Sequence, residues 1–555
     1  MNVTTKIVVT HWAAIEAKYG TGASRILAAL EGLVAADAAR GIATTLVRLD
    51  RATDLAPFGA LPMRDARDQE GAKRAVDAID EAIRPHYYLI LGGPDIVPMQ
   101  ELENTIGMVS RSAAVGDSDF NVPSDAPYAC DAPYSKDPTD FQHPSRVVGR
   151  LPDLTWAKRP VYLVELLRLA AAARPLPRAE FEKGFALSAK CWERATRACV
   201  EALFGRGARV DLSPPRKDPW PSSVLAPRLH FINCHGGNMD AAFAGEDVPD
   251  EDGNRGDFSV ALTARTLRGK VTPGTVVAAE CCYGAQLFDS SRGRDPGDPR
   301  DIPDVEWPAR GTPGIALEYL RQGASGYFGS STVAYGASYS PPGDPAFGNE
   351  HADVICRVFL EKVLEGCSLG RAALEARLAY ARSVKRASPV LWKTLAQFHL
   401  LGDPSVHPVA GGRPERHRAV SAAQAHRQEL ERREHHRERD RREARAMEAA
   451  REHFQEDELP PERMGEVLAR AEALGVRNKA VRAFTLLSGS RKVAKGDPSL
   501  AARRQANQVL MVTEAFETER KRLRKRIPYS RFGLVIAHYR DGRIVEDAIE
   551  RLDSR

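Results

Sequence analysis

The chain has 555 residues, enough for roughly two to four domains with sizeable cores. Hydrophobic residues make up 43% of it, so most of it should be globular, and a net charge of +5 gives no reason to expect nucleic-acid binding. The start lacks a basic region followed by an apolar run, and no stretch of about 18 apolar residues occurs, so neither a signal peptide nor a membrane span is predicted. The eight scattered cysteines are therefore expected to be reduced thiols in a cytoplasmic protein.

The N-terminal hundred residues alternate between strand-like and helix-like segments. KIVVTH, TTLVRLD and HYYLILGG are typical of strands, and helical spacing of apolar residues covers 22–40 and 70–83. Strands alternating with helices predict an α/β fold with parallel strands covered on both faces. The less regular, Pro- and Asp-rich stretch 101–145 is expected to form loops over the carboxyl ends of the strands. We take 1–145 as an N-terminal α/β subdomain.

A second α/β run occupies 146–410 and contains two strands with polar, glycine-containing ends. LHFINCHGGN ends in His235-Gly236, and TVVAAECCYGAQL ends in Glu280-Cys281-Cys282-Tyr283-Gly284. The histidine precedes the cysteines by roughly 50 residues, the order and spacing found in caspases. Because the chain is expected to turn sharply at Cys282-Tyr283-Gly284, the Cys282 sulfur is expected to be exposed.

A histidine and a cysteine at neighbouring strand ends can perform nucleophilic acyl transfer. A free thiol has a pKa near ~8.5, and a nearby imidazole favours the thiolate. Gly236 lets its backbone N–H approach a developing oxyanion. Two alternatives stay open: a structural histidine beside core cysteines, and a zinc site formed by Cys234, His235, Cys281 and Cys282, although these lack the spacing of structural zinc ligands.

Five further segments occur in the order in which the caspase-fold (clan CD) cysteine peptidases have them. With the His and Cys strands, they make residues 6–408 resemble that family. The chain is most similar to the gingipain-like (C25-like) group and is related to CHAT domains. The resemblance implies a caspase-like α/β/α sandwich with a mostly parallel sheet. It also implies a cysteine endopeptidase that acts on a protein or peptide substrate without a metal or organic cofactor. The additional segments are YYLILGGPDIVP at 87–98, SDAPYACD at 124–131, RVVGRLPD at 146–153, ALEYLRQGASGYFGSST at 316–332 and HLLGDPSVHP at 399–408.

The resemblance leaves two candidates for the nucleophile. The Cys-x-x-Gly pattern of CHAT domains selects Cys281, and the Cys-x-Gly pattern of caspases selects Cys282. Metacaspases and legumains carry an acidic residue two positions before the nucleophile, at the rim of the pocket for the substrate's P1 side chain. Glu280 stands two positions before Cys282, which favours Cys282 and predicts cleavage after Arg or Lys. Asp125 and Asp131 are expected to add charge, since the corresponding region of gingipain-like enzymes lies near the substrate cleft.

The composition changes sharply at 411. Residues 411–460 are rich in Arg, Glu, His and Ala and predict a charged helical linker without sustained heptads. Residues 461–555 are interpreted as a small, mostly helical domain with one short strand, FGLVIAHY. These C-terminal helices could contact an activating partner or the chain itself.

Two other functions stay open, and so does a calcium site. The chain could be a catalytically silent caspase-fold scaffold, or an acyltransferase or transpeptidase that uses the same two residues. Some relatives use calcium, and the acidic stretch 246–254 could bind it, although it lacks the order of an EF-hand loop.

Overall fold

The structure is a computed structural model, whose described residues form a ten-stranded, a six-stranded, a three-stranded and a two-stranded sheet. It describes residues 4–106, 117, 119, 121–155, 157–238, 240–249, 258–287, 314–337, 350–384, 388–411, 452–457, 461–474, 476, 479–488, 507–522, 525–540 and 543–554.

Strands and helices are numbered in order along the chain. The strands are β1 Thr4–Thr10, β2 Ile42–Arg48, β3 Tyr87–Leu91, β4 Gln100–Glu103, β5 Asn121–Ser124, β6 Val148–Leu151, β7 Gly184–Ala189, β8 Asp211–Ser213, β9 Leu229–Asn233, β10 His235–Gly236, β11 Ala242–Gly245, β12 Ser259–Thr263, β13 Val276–Ala279, β14 Gly326–Ser330, β15 Tyr335–Ala337, β16 Phe398–Gly402, β17 Glu452–Asp457, β18 Lys479–Ser488, β19 Asn507–Arg522, β20 Lys525–Arg540 and β21 Arg543–Ser554. The helices are α1 Trp12–Tyr19, α2 Ala23–Ala39, α3 Ala52–Leu55, α4 Gln69–Ile83, α5 Val161–Ala172, α6 Glu193–Phe204, α7 Ser222–Leu225, α8 Ala264–Leu267, α9 Ile315–Arg321, α10 Ala352–Leu364, α11 Leu369–Ser383, α12 Pro389–Gln397 and α13 Pro461–Ala473.

A ten-stranded sheet forms the centre of the fold, in the order β2-β1-β3-β6-β16-β14-β13-β9-β7-β8. Neighbouring strands are parallel except β14 and β16, which pair antiparallel, so the sheet has two parallel halves that run in opposite directions. The carboxyl ends of β9, β13 and β14 therefore lie at the edge where β16 begins. The predicted α/β fold with a large, mostly parallel sheet is confirmed.

Helices cover both faces of this sheet, because successive side chains of a buried strand point to opposite faces. In β13, Val277 and Ala279 pack into one core together with side chains of α2, α5 and α9. Val276 and Ala278 pack into a second core with side chains of α6, α10 and α11. The central strands thus lie between two helical layers.

The division predicted at 145 falls between two paired strands of one sheet, since β6 pairs with β3. Buried Lys6 on β1 also ties the start of the sheet to residues beyond β16. Its ammonium group forms ion pairs with Asp37 and, at 2.7 Å, with Asp403, and it donates to Ser405 Oγ at 3.1 Å. The boundary between two subdomains stays a prediction.

The C-terminal part of the chain forms a six-stranded sheet in the order β15-β21-β20-β19-β18-β17. The prediction of a mostly helical 461–555 is wrong for the described residues there, which form α13 and four strands. The physical reason is an alternation with period two, since Val509 and Met511 pack on one face of β19 while Leu510 and Val512 pack on the other. The short strand predicted at FGLVIAHY is confirmed as part of β20.

The predicted charged linker lies largely outside the described residues. Residues 412–451 and 458–460 are not among them, and 452–457 form β17. Within the described ranges, no helix combines the length and apolar character needed to cross a membrane.

We expect Lys6→Met to lower the free energy of unfolding by about 3–5 kcal/mol, because it leaves two buried carboxylates without their shared cation. Urea denaturation measures the change. The matched control is Lys183→Met at an exposed position, which should change stability by less than about 0.5 kcal/mol. A loss of similar size in both variants would contradict the role assigned to Lys6.

Candidate functional site

The two polar strand ends predicted from the sequence lie side by side. Strands β9 and β13 are parallel neighbours with Ile232 opposite Ala279, and the N–H of Glu280 donates to the Ile232 carbonyl at 2.9 Å. Immediately beyond, a Cβ atom on Gly236 would overlap the carbonyl oxygen of Cys282. Only glycine allows this approach, which brings the backbone after His235 against the backbone of Cys282.

His235 is held by a short antiparallel hairpin and by a carboxylate. It lies opposite Ala244 in the pairing of β10 with β11, and its Nε2 is 2.7 Å from Oε2 of Glu246, the residue after β11. Its ring packs against Trp192 and Phe258, with ring centroids 4.3 and 4.8 Å away. With Glu246 ionised and the imidazole neutral, Nε2 is the donor and the lone pair is on Nδ1.

Glu246 is a functional candidate that the sequence interpretation did not identify as a partner of His235. It begins the acidic stretch 246–254, in which Asp247 pairs with Lys190 at 2.8 Å. The calcium hypothesis for this stretch is not supported by Glu246, whose carboxylate bonds to His235, and residues 250–257 lie outside the described residues. No local pattern marks Glu246 as the partner of His235, because the contact depends on how the β10–β11 hairpin returns.

The expectation of an exposed sulfur at Cys282 is wrong. Its side chain is buried in an apolar cluster, and its Sγ accepts a hydrogen bond from the N–H of Ala334 at 3.2 Å. Burial raises the pKa of the Cys282 thiol to about 12, so the thiol is protonated at neutral pH in this arrangement. The cluster combines residues near the site with residues of the C-terminal sheet: Ile106, Val333, Tyr335, Val390, Val509, Met511, Leu534, Ile536 and Leu552.

Cys281 lies in the core on one face of the central sheet. Its side chain is fully buried in the core that also contains Cys234, Tyr319 and Tyr327, and burial raises its pKa well above the ordinary range. A thiol packed among core side chains behaves as a small hydrophobic group. Of the two cysteines, Cys282 is the one that packs against a second sheet rather than within the main core.

Glu280 is fully buried and not at an open pocket rim in this arrangement, so its role in substrate specificity stays a prediction. It points toward α6 and α10, where one donor atom each of Cys199, Glu280 and Asp353 lie within 4.8 Å of one another. Oδ2 of Asp353 accepts hydrogen bonds from the N–H groups of Ala337 and Glu350 at 3.0 and 3.1 Å. Two carboxylates and a thiol thus lie in one buried cluster behind the Cys282 strand end.

Across the part of the chain that the structure describes, Cys199, Glu280 and Asp353 are the only group of three such donors that converges. The zinc alternative built on Cys234, His235, Cys281 and Cys282, all described residues, is therefore not formed.

Asp125 has a structural role, and its prediction as a cleft residue is wrong. Its two carboxylate oxygens accept hydrogen bonds from Nε and Nη2 of buried Arg150 at 2.8 and 2.6 Å. The same guanidinium donates to the carbonyls of Gly92 and Val97. Asp131 is half-exposed and accepts from Ser145 Oγ at 2.8 Å, so it also contacts the residues that precede β6.

A buried polar network that the sequence interpretation missed holds the residue after Cys282. Tyr283 has a φ of 54°, a left-handed backbone conformation. Its hydroxyl donates to Oδ1 of Asp119 at 2.7 Å, and the N–H of Val333 donates to Oδ2 at 2.8 Å. Lys393 pairs with Asp119 at 2.9 Å and also with Asp117. These residues come from four distant segments, so no spacing in the sequence could have indicated the network.

Comparison with known proteins gives structural likeness only. No family model matches the chain, and no curated protein matches it. The fold is similar to a solved structure of a protease, at 13% sequence identity over 99% of this chain and 97% of the other, with a TM-score of 0.45. It is also similar to a chain of the Saccharomyces cerevisiae separase–securin complex, at 12% identity over 48% of this chain and 14% of that one, with a TM-score of 0.27. With TM-scores below 0.5, neither likeness assigns an activity or a site residue to this chain.

We expect Gly236→Ala to destabilise the chain by several kcal/mol or to prevent folding, because its Cβ meets backbone that cannot move aside. Thermal unfolding measures the loss. Gly32→Ala in helix α2 is the control, since a Cβ there meets nothing within 4 Å and alanine favours a helix by roughly 0.5–1 kcal/mol. A Gly236→Ala chain as stable as the wild type would show that the two strand ends do not approach as described.

Proposed function

We propose that the chain is a cysteine endopeptidase in which Cys282 is the nucleophile and His235 is the general base and acid. The observation that supports this best is the contact between the two strand ends, where the backbone of Gly236 meets the backbone of Cys282. A second is the hydrogen bond from His235 to Glu246, which fixes the ring in the tautomer that a general base requires.

The reaction follows the acyl-enzyme route of thiol nucleophiles. Nδ1 of His235 accepts the thiol proton of Cys282, and the sulfur forms a bond to the carbonyl carbon of the scissile peptide. The backbone N–H groups of Gly236 and Cys282 stabilise the oxyanion. The imidazolium returns its proton to the leaving amine as the C–N bond breaks, and water then hydrolyses the thioester with His235 as the base. Glu246 stabilises the imidazolium and is a positioning residue.

The proposed substrate specificity is cleavage after Arg or Lys. Glu280 follows β13 two residues before the nucleophile, and Asp353 lies close to it at the start of α10. A guanidinium or ammonium group beside these carboxylates would form charge-assisted hydrogen bonds with them. Protein or peptide chains are accordingly the proposed partners, and the chemistry requires no metal or organic cofactor.

A second candidate function is a catalytically silent scaffold of the same fold, and the burial of the Cys282 thiol favours it. The two proposals differ in what happens when the thiol becomes accessible: a peptidase then cleaves, and a scaffold does not. An acyltransferase or transpeptidase would form the same thioester and pass the acyl group to an added amine instead of to water.

We expect Cys282→Ala and His235→Ala to reduce kcat/KM to background on fluorogenic peptides that end in Arg or Lys. Glu246→Gln should reduce it by about 10–1,000-fold, because general-base catalysis contributes about 10²–10⁴ and the glutamine weakens it without removing the imidazole. The assay is run on the full chain and in a Leu552→Lys background, which places a charge in the apolar cluster around Cys282.

Cys281→Ala and Cys367→Ala are the controls for the nucleophile and should retain activity. Activity that survives Cys282→Ala but is lost in Cys281→Ala would move the nucleophile to Cys281. Activity that survives both would contradict the peptidase proposal.

We expect Glu280→Gln to reduce the preference for Arg and Lys at P1 by about 10–100-fold, the loss of one charge-assisted hydrogen bond of about 1.5–3 kcal/mol. A P1-scanning peptide library measures the preference, and the exposed Glu182→Gln serves as the matched control. A preference for Asp or apolar P1 residues, or an unchanged preference in Glu280→Gln, would contradict the specificity.

A further inference from the structure

The strand that follows the site is paired with the last strand of the C-terminal sheet. β15 begins directly after Val333 and Ala334, the latter of which donates its N–H to the Cys282 sulfur. β21 pairs with β15 antiparallel, with Tyr335 opposite Ser554 and Ala337 opposite Leu552. The edge of β15 is therefore occupied by a segment of the same chain.

The same C-terminal sheet buries the Cys282 side chain. Three of its strands contribute the apolar side chains of Val509, Met511, Leu534, Ile536 and Leu552 to the cluster around the thiol. Leu534 and Leu552 lie opposite each other on β20 and β21, so one face of the sheet forms a continuous apolar surface over this position. Its other face packs against α13 in a cluster of its own.

We propose that the C-terminal sheet is an autoinhibitory cover, in which β21 occupies the edge that a peptide substrate pairs with and the apolar face buries the Cys282 thiol. This inference rests on the proposed peptidase function, because it assigns Cys282 the role of nucleophile. Extended peptides commonly bind by adding a strand to a sheet edge, and β15 has such an edge once β21 leaves it. Activation is then the separation of β21 from β15.

The contact has the properties of a surface that can open separately from the fold. The pairing of β15 with β21 extends over only three residue pairs, whereas β19 and β20 are paired along their full lengths. The cluster around Cys282 is also separate from the two cores that hold the central sheet. Local openings of this kind require less free energy than global unfolding.

Alkylation of individual cysteines by iodoacetamide, followed by peptide mapping, tests the cover without relying on catalysis. In the full chain at pH 8, Cys282 should react about 100-fold or more slowly than the partly buried Cys367, because burial raises the pKa of both thiols but shields Cys282 almost completely. Leu552→Lys should accelerate the reaction of Cys282 at least about tenfold. Cys130, buried in a different cluster, should keep its wild-type rate and thus report that the core stays folded.

Arg543→Ala is the matched control, since this residue is exposed on the same strand, and it should leave the rate at Cys282 unchanged. Ile536→Lys on β20 is a second opening variant within the same cluster. Cleavage of Arg- or Lys-terminated peptides should rise in both opening variants together with the reactivity of Cys282.

Two results would contradict the proposal that the C-terminal sheet covers Cys282. In one, wild-type Cys282 reacts as fast as Cys367. In the other, both opening variants accelerate Cys130 and Cys282 together, which would make the C-terminal sheet part of the cooperative core. If Cys282 alone becomes reactive in the opening variants and no peptide is cleaved, the C-terminal sheet does shield Cys282, and the proposed peptidase function is wrong.

Discussion

The contact between Gly236 and the carbonyl of Cys282 is the constraint on which the candidate site depends. Parallel pairing of β9 with β13 brings the two strand ends to one edge of the sheet, but only a residue without a Cβ lets them touch. The hairpin that begins at His235 then carries Glu246 back to the imidazole. Backbone packing of the central sheet thus determines where the imidazole lies, independently of the C-terminal sheet.

Burial in this region favours stability over reactivity. Removing Cys282 from water raises the pKa of its thiol, and the Asp119 network holds Tyr283 and Val333 on either side of it. A polar network that is fully hydrogen-bonded rigidifies its surroundings, so the segments flanking the thiol are held while the apolar layer above is the part that can separate. A thiol that is inert while covered suits a regulated activity better than a constitutive one.

The sequence was sufficient to predict the α/β fold and the two adjacent strand ends, because buried runs that end in polar residues have local signatures. It was insufficient for Glu246, whose role depends on how a hairpin returns. It was misleading for the C-terminal region, where abundant Arg, Glu and Ala resemble a helix although the apolar residues of β19 alternate with period two. The cover over Cys282 depends on pairing between β15 and β21, far apart in sequence, and no local pattern encodes it.

We infer that the apolar layer over Cys282 opens separately from the sheet beneath it. The most direct test is cysteine labelling of the wild-type chain over a series of urea concentrations below the unfolding transition, read at Cys282, Cys130 and Cys234. We expect Cys282 to become reactive through an opening with a smaller free energy and a weaker urea dependence than the openings that expose Cys130 and Cys234. If all three cysteines become reactive together, with the free energy and urea dependence of global unfolding, the layer does not open separately.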